Sequence, residues 1–275
     1  MMPTWLSTDG FRFGDARTIA TAVAHRLMIG AVMGGGMWLS MGSVLAQDPA
    51  APSKRGGVSS DVVASEPDAP EPLTKYLGRR IALPMSYHGI PWLNRPERLQ
   101  EENPEEMLTQ LGVKEGMNVC DMGCGDGYYT LELAKRVGPK GKVYAVDIQP
   151  EMLQELSRRC ERFDLKNVDM VLGVPHDPKL PDGEVDLILM VDVYHEFSNP
   201  VEMLSAMRRS LKPDGRIALV EFRGEDPQVP IKAEHKMTKK QILKEYQANR
   251  FRLVEQYDRL PWQHLMFLSP DASSE

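Results

Sequence analysis

From Pro104 onward, short apolar runs alternate strictly with helical segments, and this alternation constrains the fold more than any other feature of the chain. Pro104 opens a helix over EEMLTQLG, since proline suits the first helical position, and Gly116 breaks it. MNVCDMG then reads as a buried strand. Tyr129–Val137 reads as a helix with Leu131, Leu133, Ala134 and Val137 on its apolar side. KVYAVDI is a second strand, Pro150–Phe163 an amphipathic helix, VDMVLG a third strand and VDLILMV a fourth. A helix over Pro200–Leu211 is expected to close in a turn, Lys212-Pro213-Asp214-Gly215, before the fifth strand, RIALVEF. Thr238 is positioned to cap a helix over KKQILKEYQANR. FRLVEQYD and QHLMFL follow with no helix between them. Strand–helix alternation builds a parallel, doubly wound α/β sheet, and the last two runs predict a C-terminal antiparallel hairpin. In such sheets ligands bind at the carboxyl ends of the strands.

The residues before this pattern have a different composition. Leu27 to Ala46 carry no charge, behind a weakly basic flank containing Arg12, Arg17 and Arg26 against Asp9 and Asp15. Residues 1–46 therefore read as a secretory signal cleaved after Ala46, or as an uncleaved membrane anchor through 27–46. Both place the protein in export to the periplasm or at the membrane. A start codon further downstream would leave it in the cytoplasm. Residues 47–72 hold five prolines and no aromatic residue, a composition expected of a disordered linker. The folded domain is expected over 73–275.

The loop VCDMGCGDGYYT places Gly123, Gly125 and Gly127 between the first strand and the next helix, where glycines permit tight turning and close approach of backbone to a ligand. Asp147 falls twenty residues after Gly127, at the end of the second strand, where an acid accepts hydrogen bonds from ribose hydroxyls. Dinucleotide sites favour G-x-G-x-x-G, with pyrophosphate at the helix N-terminus. Here the spacing is G-x-G-x-G, with Asp121 before it and Asp126 inside it. Two carboxylates repel a pyrophosphate and favour a cation. The pattern therefore selects S-adenosylmethionine, with its ammonium and sulfonium, over a nicotinamide or flavin dinucleotide.

On these residues the chain resembles the class I S-adenosylmethionine-dependent methyltransferases, in the branch with a generic methyltransferase domain that includes the ubiquinone and menaquinone C-methyltransferases. The resemblance covers roughly 104–222 and implies a Rossmann-like, seven-stranded sheet. It implies cofactor contacts at 119–127, a ribose-binding acid at Asp147 and an adenine-packing residue at Ile148. The family often has Gly-Asp after its third strand. This chain has Gly173-Val174, so the adenine contact falls to Asp177 or to backbone groups. The resemblance also implies a lid from the segment before the glycine loop, here residues 87–102 with Tyr87, His88, Trp92, Arg95 and Arg98.

The fourth strand runs into DVYHEF, which brings Asp192 to the expected cofactor edge and offers His195 as a general base. Methyl transfer depends more on in-line approach than on proton transfer, so capping or backbone bonding is an equal reading of His195. Glu221, Arg223, His235 and Lys236 form a second polar set after the fifth strand, with Arg223 or Lys236 suited to an anionic substrate or to solvent. The three cysteines, Cys120, Cys124 and Cys160, match no zinc spacing, and the sequence assigns no metal ligand. With a net charge of −6 the chain has no basic footprint for nucleic acid, so the expected partner is a small-molecule methyl acceptor. Two rivals remain at this stage: a nucleotide-dependent oxidoreductase and a non-catalytic S-adenosylmethionine-binding domain.

Overall fold

The computed structural model describes residues 69–271; the expected signal or anchor and most of the expected linker lie outside them. The core is a seven-stranded sheet. In chain order its strands are β1 (Asn118–Met122), β2 (Lys142–Asp147), β3 (Val168–Leu172), β4 (Val185–Val191), β5 (Leu211–Phe222), β6 (Phe251–Tyr257) and β7 (Gln263–Pro270). Their spatial order is β3-β2-β1-β4-β5-β7-β6. The first five pair in parallel, and β7 inserts antiparallel between β5 and β6. The helices are α1 (Pro104–Gln110), α2 (Thr130–Val137), α3 (Pro150–Arg162), α4 (Pro200–Ser210) and α5 (Lys239–Ala248). Among the described residues no helix is long and apolar enough to cross a membrane.

Burial follows position in the sheet. The central strand β4 is apolar along most of its length because helices cover both of its faces. The edge strands β3 and β6 mix exposed and half-buried residues. One face packs Met122, Ile188, Met190 and Leu219 against Leu204 and Met207 of α4 and Ile242 and Tyr246 of α5. The other packs Val119, Leu187, Leu189 and Val220 against Met107 and Leu108 of α1 and Leu133 and Val137 of α2. Thr238 caps α5 as expected, its hydroxyl accepting from the Gln241 amide.

One expectation fails. Lys212-Pro213-Asp214-Gly215 is not a free turn after α4; it lies inside β5 as a bulge. Leu211 already pairs with Val185, and pairing resumes at Arg216 opposite Leu187. Proline has no N–H for the ladder and is tolerated at bulges, which accounts for the interruption.

Residues 70–82 form a strap over the C-terminal half. Asn199 donates to the Pro70 and Glu71 carbonyls, so packing begins slightly upstream of residue 73. Lys75–Tyr76 and Arg79–Arg80 make a small hairpin, turned by Leu77 and Gly78, both with positive φ. This turn carries Arg79 into a buried pair with Glu245 of α5, through two bonds of 2.8 and 2.9 Å.

Candidate functional site

The carboxyl ends of β1, β2, β4 and β5 meet at one edge of the sheet. The loop after β1 starts with the Gly123 and Cys124 amides both bonded to the Val146 carbonyl of β2. All three loop glycines have positive φ. At Gly127 a Cβ would stand 2.3 Å from Leu156 of α3, and at Gly123 it would stand 2.4 Å from Val193. The loop thus lies so close to α3 and to the turn after β4 that only glycine fits.

Asp147 closes the loop from β2. Its two carboxylate oxygens accept from the Gly125 and Gln149 amides, each at 2.9 Å. Burial raises its pKa while these bonds pull it back down. Each oxygen keeps a further lone pair for a ribose hydroxyl. Ile148 follows, 41% exposed, an apolar surface beside that acid. Asp177 sits in the β3 loop, where its backbone bridges to Val174 and its side chain caps the Lys179 amide.

The other carboxyls divide in two. Asp126 is engaged by protein through one oxygen: Arg159 of α3 bonds its Oδ2 at 2.5 Å and Asn94 at 2.7 Å, while its Oδ1 is buried with no partner. It locks the loop to α3 and to the segment above. Asp121 and Asp192 are not neutralised in this way. Asp121 accepts from Thr130, from its hydroxyl at 2.6 Å and from its backbone amide. Burial lifts it to about 6, with Asp147 adding to the rise. Asp192, at a strained φ of 52°, takes one bond from Gln263, and its Oδ1 is buried with no partner. Burial, then Glu102 and Glu221, holds its carboxyl well above the usual range.

The segment 87–102, expected to act as a lid, contacts the loop and the start of α3. Tyr87 and Met85 clamp Gln149, and Asn94 reaches Asp126. A Cβ at Gly125 would come within 3.1 Å of Leu93. Arg98 is buried under the lid, paired with Glu102 and stacked over Tyr128 at 4.2 Å.

Beside Asp192, a short helical turn (Tyr194–Glu196) presents a second cluster. His195 is buried, its Nδ1 2.7 Å from Glu221 of β5 and its Nε2 3.0 Å from His235 Nδ1. Burial would lower its pKa, but the Glu221 carboxylate outweighs this and the value rises. Glu196 Oε1 stands 3.9 Å from His195 Nε2 and 4.0 Å from His235 Nδ1. Burial pushes Glu196 up to about 7, against His195 and a bond from the Met85 amide, with Asp147 among the charges that raise it. Sequence reading grouped Glu221 with His235, named His195 apart from them, and missed their contact. No local spacing links them, and only the adjacency of β4 and β5 brings them together. Arg223 and Lys236, by contrast, are taken up by backbone carbonyls, of Asp258, Leu260 and Pro261 and of Asp226 and Val229 respectively.

This architecture has known relatives. Residues 113–263 match the model of a family described as a methyltransferase domain. An S-adenosylmethionine-dependent methyltransferase from Aquifex aeolicus superposes with a TM-score of 0.63 at 30% identity, covering 67% of this chain and 98% of that one. A putative type 11 methyltransferase from Sulfolobus solfataricus gives 0.52 at 26% identity, over 64% and 96% of the two chains. A demethylmenaquinone methyltransferase from a Geobacillus strain is 28% identical over 117 residues, 42% of this chain and 50% of that one. The chain spans half or less of the length of the first curated relatives it matches. The chain belongs to the methyltransferase-domain family, with the class I fold whose cofactor is S-adenosylmethionine. The residues present fit that cofactor: buried, unneutralised carboxyls at a glycine loop suit a ligand bearing an ammonium and a sulfonium.

Proposed function

We propose that the protein transfers a methyl group from S-adenosylmethionine to a small-molecule acceptor held at the β4–β5 edge. The observation that carries this reading is the partnerless Oδ1 of buried Asp192, next to a loop whose buried Asp121 has its pKa raised to about 6 despite the field of Arg98. A pyrophosphate would meet these carboxyls with like charge, which disfavours the dinucleotide alternative. When bound, the cofactor supplies an electrophilic methyl group on a positively charged sulfur. Asp147 is placed to accept the ribose hydroxyls, Ile148 to pack on the base, and Asp192 to balance the positive charge. The proton released by the acceptor is taken up at the cluster around His195, which Glu221 orients through Nδ1. The net charge of −6 and the lack of a nucleic-acid module among the described residues favour a small acceptor. The charge-free run of 27–46 favours a site of action at or beyond the membrane, which fractionation of the native protein tests.

Isothermal titration of the full chain with S-adenosylmethionine and with NADH tests the cofactor reading. Binding of the sulfonium alone is expected. Micromolar binding of NADH with none of S-adenosylmethionine would overturn the charge argument and the function with it.

A further inference from the structure

The cluster at the end of β4 has a geometry that proton uptake alone does not require. Three candidate ligand atoms converge from two separate stretches of chain: His195 Nε2, His235 Nδ1 and Glu196 Oε1, all within 4.8 Å of one another. Bonds of about 2.0–2.2 Å to a transition cation place neighbouring ligand atoms about 3–3.5 Å apart. The imidazole nitrogens already stand 3.0 Å apart, and the glutamate oxygen is 3.9 and 4.0 Å from them. A side-chain rotation of Glu196 closes that remainder, because it is anchored by a backbone amide and not by a cation.

The surroundings complete the pattern. His195 Nδ1 is bonded to Glu221 at 2.7 Å, and Glu221 is fully buried. A carboxylate behind a histidine fixes the tautomer so that the opposite nitrogen offers its lone pair to a metal. Arg79, the cation behind this histidine, makes its ion pair with Glu245 and not with Glu196 or Glu221. Glu196 and Glu221 together match the charge of a divalent ion. The entry path is on the His235 side: that side chain is 30% exposed, against 2% for His195. His235 itself belongs to a short turn, Ala233–His235, beyond β5.

We infer that His195, Glu196 and His235 form a binding site for a divalent transition cation, with Glu221 as the positioning residue behind His195. Two imidazoles and one carboxylate leave coordination positions open, the arrangement of a site that receives a further oxygen or nitrogen ligand. On the proposed function, in which the acceptor lies at the β4–β5 edge, an acceptor bearing a hydroxyl or enol oxygen would suit an open position. The site stands independently of the methyltransferase reading, since the ion binds whether or not methyl is transferred.

The test is equilibrium dialysis of the untagged, chelator-stripped full chain against Zn²⁺, with the bound metal counted by mass spectrometry and Co²⁺ absorption used to report the ligands. One equivalent per chain is expected, with a Co²⁺ spectrum free of thiolate charge transfer. His235→Ala and Glu196→Gln should each weaken Zn²⁺ at least tenfold, and Glu221→Gln by about 10–100-fold, as for the loss of an orienting carboxylate. His176→Ala, on the loop after β3, should leave it unchanged. Circular dichroism and S-adenosylmethionine titration of each variant report folding and the cofactor site separately. Sub-stoichiometric Zn²⁺ on the wild-type chain, or wild-type affinity in folded His235→Ala, overturns the metal site and leaves the cofactor reading untouched.

Discussion

Replacing Asp147 with asparagine separates the cofactor role of this residue from its structural one. The carboxylate holds the Gly125 and Gln149 amides at 2.9 Å and sits where the ribose would bind. An asparagine keeps the shape, but its amide nitrogen must face one of those two donors. That mismatch costs about 1–3 kcal/mol of folding stability if the donor stays buried. The opposing effect is visible in the same residue: burial raises the Asp147 pKa, so the native carboxylate is itself strained by desolvation. A neutral side chain relieves that strain, and the net change in stability is expected to be small. Cofactor affinity has no such compensation. Hydrogen bonds to a charged acceptor contribute about 1.5–3 kcal/mol, and each 1.4 kcal/mol is about tenfold in affinity. Asp147→Asn should therefore weaken S-adenosylmethionine by about 10–150-fold while the urea midpoint moves little. Titration calorimetry and chemical unfolding on the same preparation read both quantities. Affinity within twofold of the native chain, with the fold intact, would remove Asp147 from the cofactor site.

S-Adenosylmethionine affinity should rise with pH between about 5 and 7 and then level off. Asp121 has its pKa raised to about 6 in the ligand-free protein, and a cationic ligand binds its ionised form; a flat profile from pH 5 to 8 would contradict this. Gly125→Val should abolish cofactor binding with the sheet still formed, because φ is +54° and a Cβ already approaches Leu93 at 3.1 Å; calorimetry and circular dichroism check the two halves of that statement. Arg79→Met should destabilise the protein by about 3–5 kcal/mol, since it leaves the fully buried Glu245 without its partner. Adding Glu245→Met should recover most of that loss in urea unfolding, and a single variant within 1 kcal/mol or so of native would show the pair to be dispensable.

The sheet was legible because strand and helix differ in hydrophobic period, and VDLILMV, apolar but for Asp186, has the length and composition of a strand covered on both faces. The glycine loop and Asp147 were legible because they act within one strand–helix unit, at fixed separation along the chain. Asp126 shows the limit of that reading: its spacing marks it as a ligand for the cofactor but does not reveal that Arg159 and Asn94 take up its Oδ2, leaving Oδ1 buried with no partner. An acid's charge is visible in sequence, but its partner is not when that partner lies on another helix. The bulge at Pro213 was read as a turn because proline and glycine punctuate both, and only the pairing of Leu211 with Val185 distinguishes them. The His195–Glu221–His235 contact was illegible for the same reason as the Arg159 pair, namely that strand order and not chain order makes the neighbours.

The family match begins at residue 113, yet the site is finished by residues that precede it. Arg79 bonds the His195 carbonyl at 2.8 Å, and Ala82 donates to the same carbonyl. The Met85 amide bonds Glu196, Asn94 bonds Asp126, and Arg98 contributes to the field at Asp192. Strap and lid therefore touch the acceptor cluster and the cofactor loop, while the matched domain supplies the strands and the glycine turn. If the acceptor binds at the proposed cluster, it meets residues of the strap beside His195 and Glu196 of the matched segment. That reading predicts that substitutions in the strap, outside the matched segment, change the choice of acceptor, which activity against a panel of acceptors with the Arg79 and Ala82 variants measures.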